Sequence, residues 1–182
     1  MNLWLRLLWT ILAAWRATKL NPLSDVSRLP FRVWPHDLDT SLHMNNGRYW
    51  TLMDLGRADV MLRSGLWRAV LKHKWVPVVS AGQIRFRREL RLGRAFRLET
   101  RISAWAESWV MMEHRIVATG RDGADILAAI ALVRVGLYDR RAKAFVPVAR
   151  MMAEIGLEAP PPAVGTEVEA FLAAEDALRI AA

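Results

Sequence analysis

The sequence predicts an α+β fold, a curved antiparallel sheet wrapped around one long helix. Two observations carry this expectation. From residue 47 to 64, Tyr49, Leu52, Met53, Gly56, Val60 and Met61 recur at three- and four-residue steps, the period of a helix with one apolar face. Beyond residue 84 the period changes to two, in stretches separated by short glycine-containing or polar breaks, as in a meander. One strand, one long helix and then four strands is an α+β order, with no internal repeat and no second domain.

Taken in order, residues 3–15 form an apolar run with one charge, Arg6. On a helix, Arg6, Thr10, Ala13 and Ala17 share a narrow face, while Trp4, Leu7, Leu8, Ile11, Leu12 and Trp15 cover the other. Arg16 and Lys19 follow. The run is short for a bilayer span, which takes about 20 apolar residues, so an anchor would have to be short and tilted. Interfacial tryptophans and flanking cations suit a helix lying on a membrane surface. A tilted anchor and packing on the domain or a second subunit are the alternatives. A signal peptide is disfavoured, because the charge sits inside the apolar core with no cleavage site after it. A polar linker with Pro22 leads to a strand at 29–34, which Pro35 ends. A loop at 37–46 precedes the long helix, which Asn45 or Asn46 can cap and Gly65 can follow. Residues 66–75 are ambiguous, with a second short helix as one reading.

In the meander, Ile84 and Phe86 oppose Arg85 and Arg87. Residues 96–104 place Phe96, Leu98, Thr100, Ile102 and Ala104 on one face, and 110–116 place Val110, Met112, His114 and Ile116 there. Residues 126–135 are apolar on both faces, as in a central strand covered on both sides. A helix over 151–157, a break at the three prolines 160–162 and a surface helix over 167–181 complete the chain. The expected organisation is an amphipathic segment 1–20, a domain 21–157 and a tail 158–182.

Composition narrows the function. A chain of 182 residues with 53% hydrophobic content can build a core and is not disordered. It has no cysteine, which excludes disulfides, thiolate nucleophiles and cysteine-ligated zinc. Its four histidines are scattered without metal-ligand spacing, so no metal and no cofactor is expected. The net charge of +8 attracts polyanions such as anionic lipid or a phosphate-bearing carrier. Nucleic acid is not expected, because the basic residues interleave with strand positions and no nucleic-acid-binding motif is present. The 8 methionines and 9 tryptophans are mostly core, though Met53, Met61, Met111 and Met112 suit an acyl tunnel.

The chemistry concentrates in Pro-His-Asp-Leu-Asp-Thr-Ser-Leu-His-Met-Asn-Asn-Gly-Arg-Tyr, residues 35–49. Two carboxylates (Asp37, Asp39) and His43 lie just before a helix start, where backbone N–H groups stabilise negative charge. Asp37, after a proline, suits turn chemistry, while Asp39 is the better reactive carboxylate. With an asparagine as cap, the N–H groups of Asn46, Gly47 and Arg48 are expected to be open to an oxyanion, and Gly47 permits close approach. Asp54 and Arg57 fall on one helix face and suit an ion pair. His36 and His73 read as surface residues, and His114 as a core histidine. Arg85, Arg87, Arg88, Arg91 and Arg94 suit either a solvated face or a phosphate dock.

The order of these residues resembles the hotdog-fold thioesterases, in the hydroxybenzoyl-CoA-thioesterase-like and acyl-ACP-thioesterase-like branches. Asp37-Leu38-Asp39 followed by Tyr49 fits the first pattern, with Asp54 matching a carboxylate of that family's helix. Asp39-Thr40-Ser41-Leu42-His43-Met44-Asn45-Asn46 is similar to the second, with Ser41 where that pattern has asparagine. The resemblance covers about residues 29–157 and implies a hotdog fold and an acyl thioesterase acting on acyl-CoA or acyl-ACP. It implies Asp39 as nucleophile or base, His43 assisting, Asn46 and Gly47 at the oxyanion, and Tyr49, Asp54, Arg85, Arg87 and Arg88 toward substrate. It also implies a homodimer or homotetramer. A non-catalytic acyl-CoA-binding or lipid-binding protein is the alternative. A hotdog hydratase is disfavoured, because the Asp39-to-His43 gap is one residue short of that pattern and lacks its proline.

Overall fold

The run of apolar residues at helical spacing after Asn45 and the alternating stretches that follow do become one helix and one sheet in the computed structural model. It describes residues 2–120 and 122–180, so residue 121 of the predicted break and the outermost residues (1, 181 and 182) of the predicted segments 1–20 and 158–182 lie outside the described residues. In chain order the elements are α1 (Asn2–Arg16), β1 (Ser27–Arg32), α2 (Asn46–Ser64), α3 (Leu66–His73), β2 (Trp75–Phe86), β3 (Ala95–Trp105), β4 (Val110–Thr119), β5 (Asp125–Asp139), β6 (Ala144–Phe145), α4 (Val148–Ala153) and α5 (Thr166–Ile180). The strands form an antiparallel sheet in the order β1-β3-β4-β5-β2, with β6 on β5, a mixed α+β layout of the hotdog type.

Three expectations are corrected. The second strand begins at Trp75, not near residue 84, because Trp-Val-Pro-Val-Val lacks the alternation that marks a half-buried strand. β2 lies at one edge of the sheet, where Pro77 needs no ladder N–H on its open side. β4 is buried on both faces along nearly its whole length, Met111, Glu113 and Val117 included, because it is the middle strand. Its charged Glu113 and Arg115 disguised it as one-sided. The strand expected at 29–34 ends earlier, at Arg32, and the pair Val33-Trp34 turns into the loop.

The chain divides into two compact units. The first comprises Met1–Ser64, Ile84–Arg101 and His114–Ala131. Here β1 pairs antiparallel with β3 from Ser27↔Thr100 to Arg32↔Ala95. α2 buries Leu52, Met53, Leu55, Gly56 and Val60, and Gly56 faces Leu98 and Thr100. Gly56 is where helix and strand come closest. A Cβ there would fall well inside van der Waals contact of Thr100 Oγ1 and 3.0 Å from Leu98 Cδ2. α1 lies along α2 and buries Thr10 and Ala14 with Arg6, Leu7 and Ile11 half-buried, while Ala17 is exposed, so the side that packs joins part of the predicted narrow face to part of the apolar one.

The second unit comprises Gly65–Gln83, Ile102–Glu113 and Leu132–Ala182. Val168 and Phe171 of α5 join Ala104 and Met111 in one apolar cluster, and Arg134 Nη1 donates to Glu175 at 2.8 Å. The residues after the three prolines are therefore part of a core, not a loose appendage. His73, expected at the surface, stacks on Trp75 and pairs through Nε2 with Glu154 at 2.6 Å.

Candidate functional site

The loop between β1 and α2, in the first unit, is built around Asp37. Trp34 is extended before Pro35, as a residue preceding proline must be, and Pro35–Asp37 make one turn of 3-10 helix. The Asp37 carboxylate is 1% exposed, a position unfavourable for an ion without partners. It is met by a two-pronged contact from Arg6 of α1, Nη2 to Oδ2 at 2.7 Å and Nη1 to Oδ1 at 3.2 Å. The Trp34 N–H donates to Oδ2 at 2.9 Å, and His36 and Arg48 flank Oδ1 at 3.4 and 3.7 Å. Asp37 is thus an anchor, in agreement with its turn reading. Its anchor residue, Arg6, sits 31 positions away. Nothing local in the sequence connects the two.

From Leu38 to Met44 the chain folds back on itself. Leu38 bridges Met44, and the Asp39 N–H donates to the His43 carbonyl at 2.9 Å. Asp39 Oδ1 accepts from the Ser41 N–H at 2.9 Å and from the His43 N–H at 3.4 Å, the Asx-turn use of a short carboxylate. Ser41 contributes its backbone. Leu42, at the tip, has φ +60, a left-handed conformation that an apolar residue adopts only when its surroundings impose it.

His43 ties this turn to the segment after β2. It bridges Arg91, the Met44 N–H donates to the Leu90 carbonyl at 2.8 Å, and His43 Nε2 meets Glu89 Oε2 at 2.9 Å. Glu89 also pairs with Arg91 at 2.6 Å. Sequence reasoning did not single out Glu89, which reads as one acid inside a basic run. The side chains of Arg85, Arg87 and Arg88 are exposed on this same stretch. The N–H groups of Arg87 and Arg88 both donate to the Ala128 carbonyl, at 2.8 and 3.1 Å.

Asn45 is the cap of α2. Its Oδ1 accepts from the Gly47 N–H at 2.8 Å and its carbonyl from the Arg48 N–H at 2.8 Å. Two of the three N–H groups expected to be open are therefore engaged, and the space beside Gly47 faces Asn45 Oδ1, 3.1 Å from where a Cβ would be. That leaves the Asn46 N–H as the helix-end donor. Tyr49 does not reach the surface. It is 2% exposed, its ring meets Phe86 edge-on at 5.0 Å, and burial pushes its hydroxyl up to about 12.

One helical turn further on, Asp54 is exposed and pairs with Arg57. Arg57 continues inward to His114 Nε2 at 3.2 Å, and His114 Nδ1 meets Thr100 Oγ1 at 2.9 Å. His114 is fully buried, and burial first, the Arg57 charge second, hold it down to about 3. An arginine can only donate, so Nε2 is the acceptor and the ring proton sits on Nδ1, directed at Thr100. Burial lowers Arg57 from its usual value, and Asp54 opposes that. The core reading of His114 holds, but it fixes an arginine that reaches the surface. Asp59 forms a second buried link, to Ser27 at 2.7 Å and Arg63 at 3.2 Å.

The profile of the thioesterase-like superfamily matches residues 33–156 of this chain. Protein THEM6 of Danio rerio is 39% identical over 133 residues, 71% of this chain and 63% of that protein. The chain spans less than two thirds of the length of the curated relatives it matches. Among solved structures, the probable thioesterase YbaW from Escherichia coli superposes with a TM-score of 0.63 at 20% identity, over 70% of this chain and 94% of that one. The 4-hydroxybenzoyl-CoA thioesterase from Pseudomonas sp. strain CBS-3 gives 0.63 at 18% identity, over 72% and 99%. At these identities the two structures establish the fold.

Proposed function

The chain belongs to the thioesterase-like superfamily, and on that premise we propose that it hydrolyses acyl thioesters of CoA or of acyl carrier protein to free acid and thiol. The observation that carries the reading is the Asp39 turn, a carboxylate held by backbone N–H groups immediately before the positive end of α2. With Oδ1 engaged, Oδ2 is the oxygen for chemistry. It attacks the thioester carbonyl to give an anhydride, or takes a proton from the attacking water; both routes consume one water and release the thiol. The Asn46 N–H and the α2 terminus face the developing oxyanion. Gly47 holds the cap that aims them.

His43 assists. Its Nε2 contact with Glu89 orients the ring and leaves Nδ1 for the attacking water. Arg85, Arg87 and Arg88, zipped alongside the turn, suit the phosphates of a CoA or phosphopantetheine carrier. Asp54, on the exposed side of α2, is offered to substrate, and Tyr49 contributes by packing against Phe86. We further propose a homodimer or homotetramer in which a second copy pairs on the long edge strand β2. Cytoplasmic residence with peripheral membrane attachment through α1 completes the reading. Among the described residues no helix is long and apolar enough to cross a membrane.

The test is free-thiol release from short, long and aromatic acyl-CoAs by the wild type and by Asp39→Asn. Turnover that falls by two orders of magnitude or more in the variant supports the assignment. Turnover that survives moves the chemistry to His43 or Asp54. Binding without thiol release in the wild type replaces the hydrolase by an acyl-CoA-binding protein.

A further inference from the structure

α1 packs with Thr10 and Ala14 buried and Arg6, Leu7 and Ile11 half-buried, and leaves its largest apolar side chains outward. Trp4, Leu5, Leu8, Trp9 and Trp15 are all exposed, Trp4 and Trp15 by more than 70%. An ordinary surface helix turns such large apolar side chains inward. The patch does not end with the helix. Leu5 and Trp9 line a surface groove of about 690 Å³ together with Phe31 of β1 and Trp34, itself half exposed. Arg32 and His36 stand at its edge. Single exposed apolar residues need no explanation, but a contiguous tryptophan-rich patch does.

The exposed charged residues of α1 and the groove are basic. No acidic residue occurs before Asp25, while Arg16 and Lys19 are exposed at the C-terminal end of α1 and Arg32 is exposed beside the groove. Tryptophans that are apolar in body and polar at the ring nitrogen, bordered by cations, match the interface of an anionic bilayer. A second copy of this chain would bring the same cations face to face. Arg6, the one charge inside the helix, does not face outward: it grips Asp37. Asp37 in turn accepts, through its carbonyl, the N–H of Asn45 at 2.8 Å, the residue that caps α2, and lies two positions before Asp39.

We propose that the outward tryptophan face of α1, continued by Trp34, docks on the surface of an anionic lipid bilayer, and that the Arg6–Asp37 contact conveys the docked position of α1 to the turn carrying Asp39. The substrate class that follows is the long-chain acyl thioester, which partitions into the same bilayer. The docking and the coupling stand on α1 and its contacts; only the substrate class rests on the thioesterase reading.

The experiment uses the full chain, vesicles of phosphatidylcholine alone or with one third phosphatidylglycerol, and the variants Trp4→Ser/Trp9→Ser/Trp15→Ser and Arg6→Met, each first shown folded by circular dichroism. Should Arg6→Met not fold, Arg6→Lys, which loses the two-pronged geometry but keeps the charge, takes its place. Co-sedimentation and tryptophan emission read docking. Hydrogen exchange of the amides at 39–45 reads coupling without any need for turnover. The wild type is expected to bind the anionic vesicles at least tenfold more tightly than the neutral ones, and the triple variant to lose about tenfold or more. Exchange at 39–45 is expected to slow on docking in the wild type and not in the Arg6 variant, with turnover of long-chain acyl-CoA rising in parallel. A wild type that ignores vesicles but dissociates from a dimer when the tryptophans are removed overturns the docking, in favour of a second copy. Docking that leaves exchange at 39–45 unchanged overturns the coupling. Absent turnover alongside vesicle binding and slowed exchange refutes the thioesterase reading and leaves docking and coupling in place.

Discussion

His114 makes stability depend on pH in a window where few other groups titrate. The ring is fully buried between the Arg57 guanidinium and the Thr100 hydroxyl, and is held down to about 3. In the unfolded chain it titrates near 6.5. Between these values the unfolded state carries a proton that the folded state does not, so stability is complete above pH 6.5 and falls as pH falls toward 3. The slope is about 1.4 kcal/mol per pH unit, or about 2 kcal/mol between pH 7 and pH 5. For a chain of this length that corresponds to roughly 4–8 °C in Tm. The depressed carboxyls of Asp125, Asp139 and Glu154, each held down chiefly by its hydrogen bonds, act only as pH falls below their unfolded values near 4. Urea denaturation of the wild type and of His114→Gln at both pH values isolates the effect, because every other group is common to the two proteins. The amide offers Arg57 an acceptor but cannot titrate. The variant is expected to be the less stable at pH 7 and to lose about 2 kcal/mol less than the wild type on going to pH 5. Equal losses in the two proteins would refute the neutral, buried assignment of His114.

Two further predictions follow from the same unit. Gly56→Ala places a methyl group against Thr100 Oγ1 and Leu98 Cδ2, and is expected to cost about 1–3 kcal/mol in chemical denaturation; Thr100→Ala in the same chain should return part of it, since the two sites are in contact. Replacing Arg85, Arg87 and Arg88 together by glutamate is expected to raise KM for an acyl-CoA about tenfold or more while leaving the acyl-pantetheine, which lacks the nucleotide phosphates, nearly unchanged. An equal rise for both substrates would remove these arginines from carrier recognition.

Much of the fold was legible because the signals are local. The three- and four-residue steps of Tyr49, Leu52, Met53 and Gly56 depend only on which face of a helix is wet, and the alternation of Phe96, Leu98 and Thr100 only on the pleat. β2 escaped because an edge strand carrying a proline and exposed on both faces has no period to read. β4 misled because its charged positions suggested a wet face, which its central place in the sheet denies it. At the site, Asp37, Asp39, His43 and the asparagine cap stood together in fifteen residues and could be found by reading.

The sequence by itself determined the α+β class, the helix that begins at the asparagine pair, the turn before it and the apolar character of the first helix. These follow from periodicity, capping and turn chemistry, which act over a few residues. Only the tertiary structure decided which side of α1 faces out, that Arg6 reaches Asp37, that Glu89 holds His43, and that Arg57 leads from Asp54 to a neutral His114. Each of these pairs joins residues 31 to 57 positions apart, except Asp54 with Arg57. Partners that distant are chosen by how helix and sheet close on one another, and a buried charge accepts whichever partner that closure delivers.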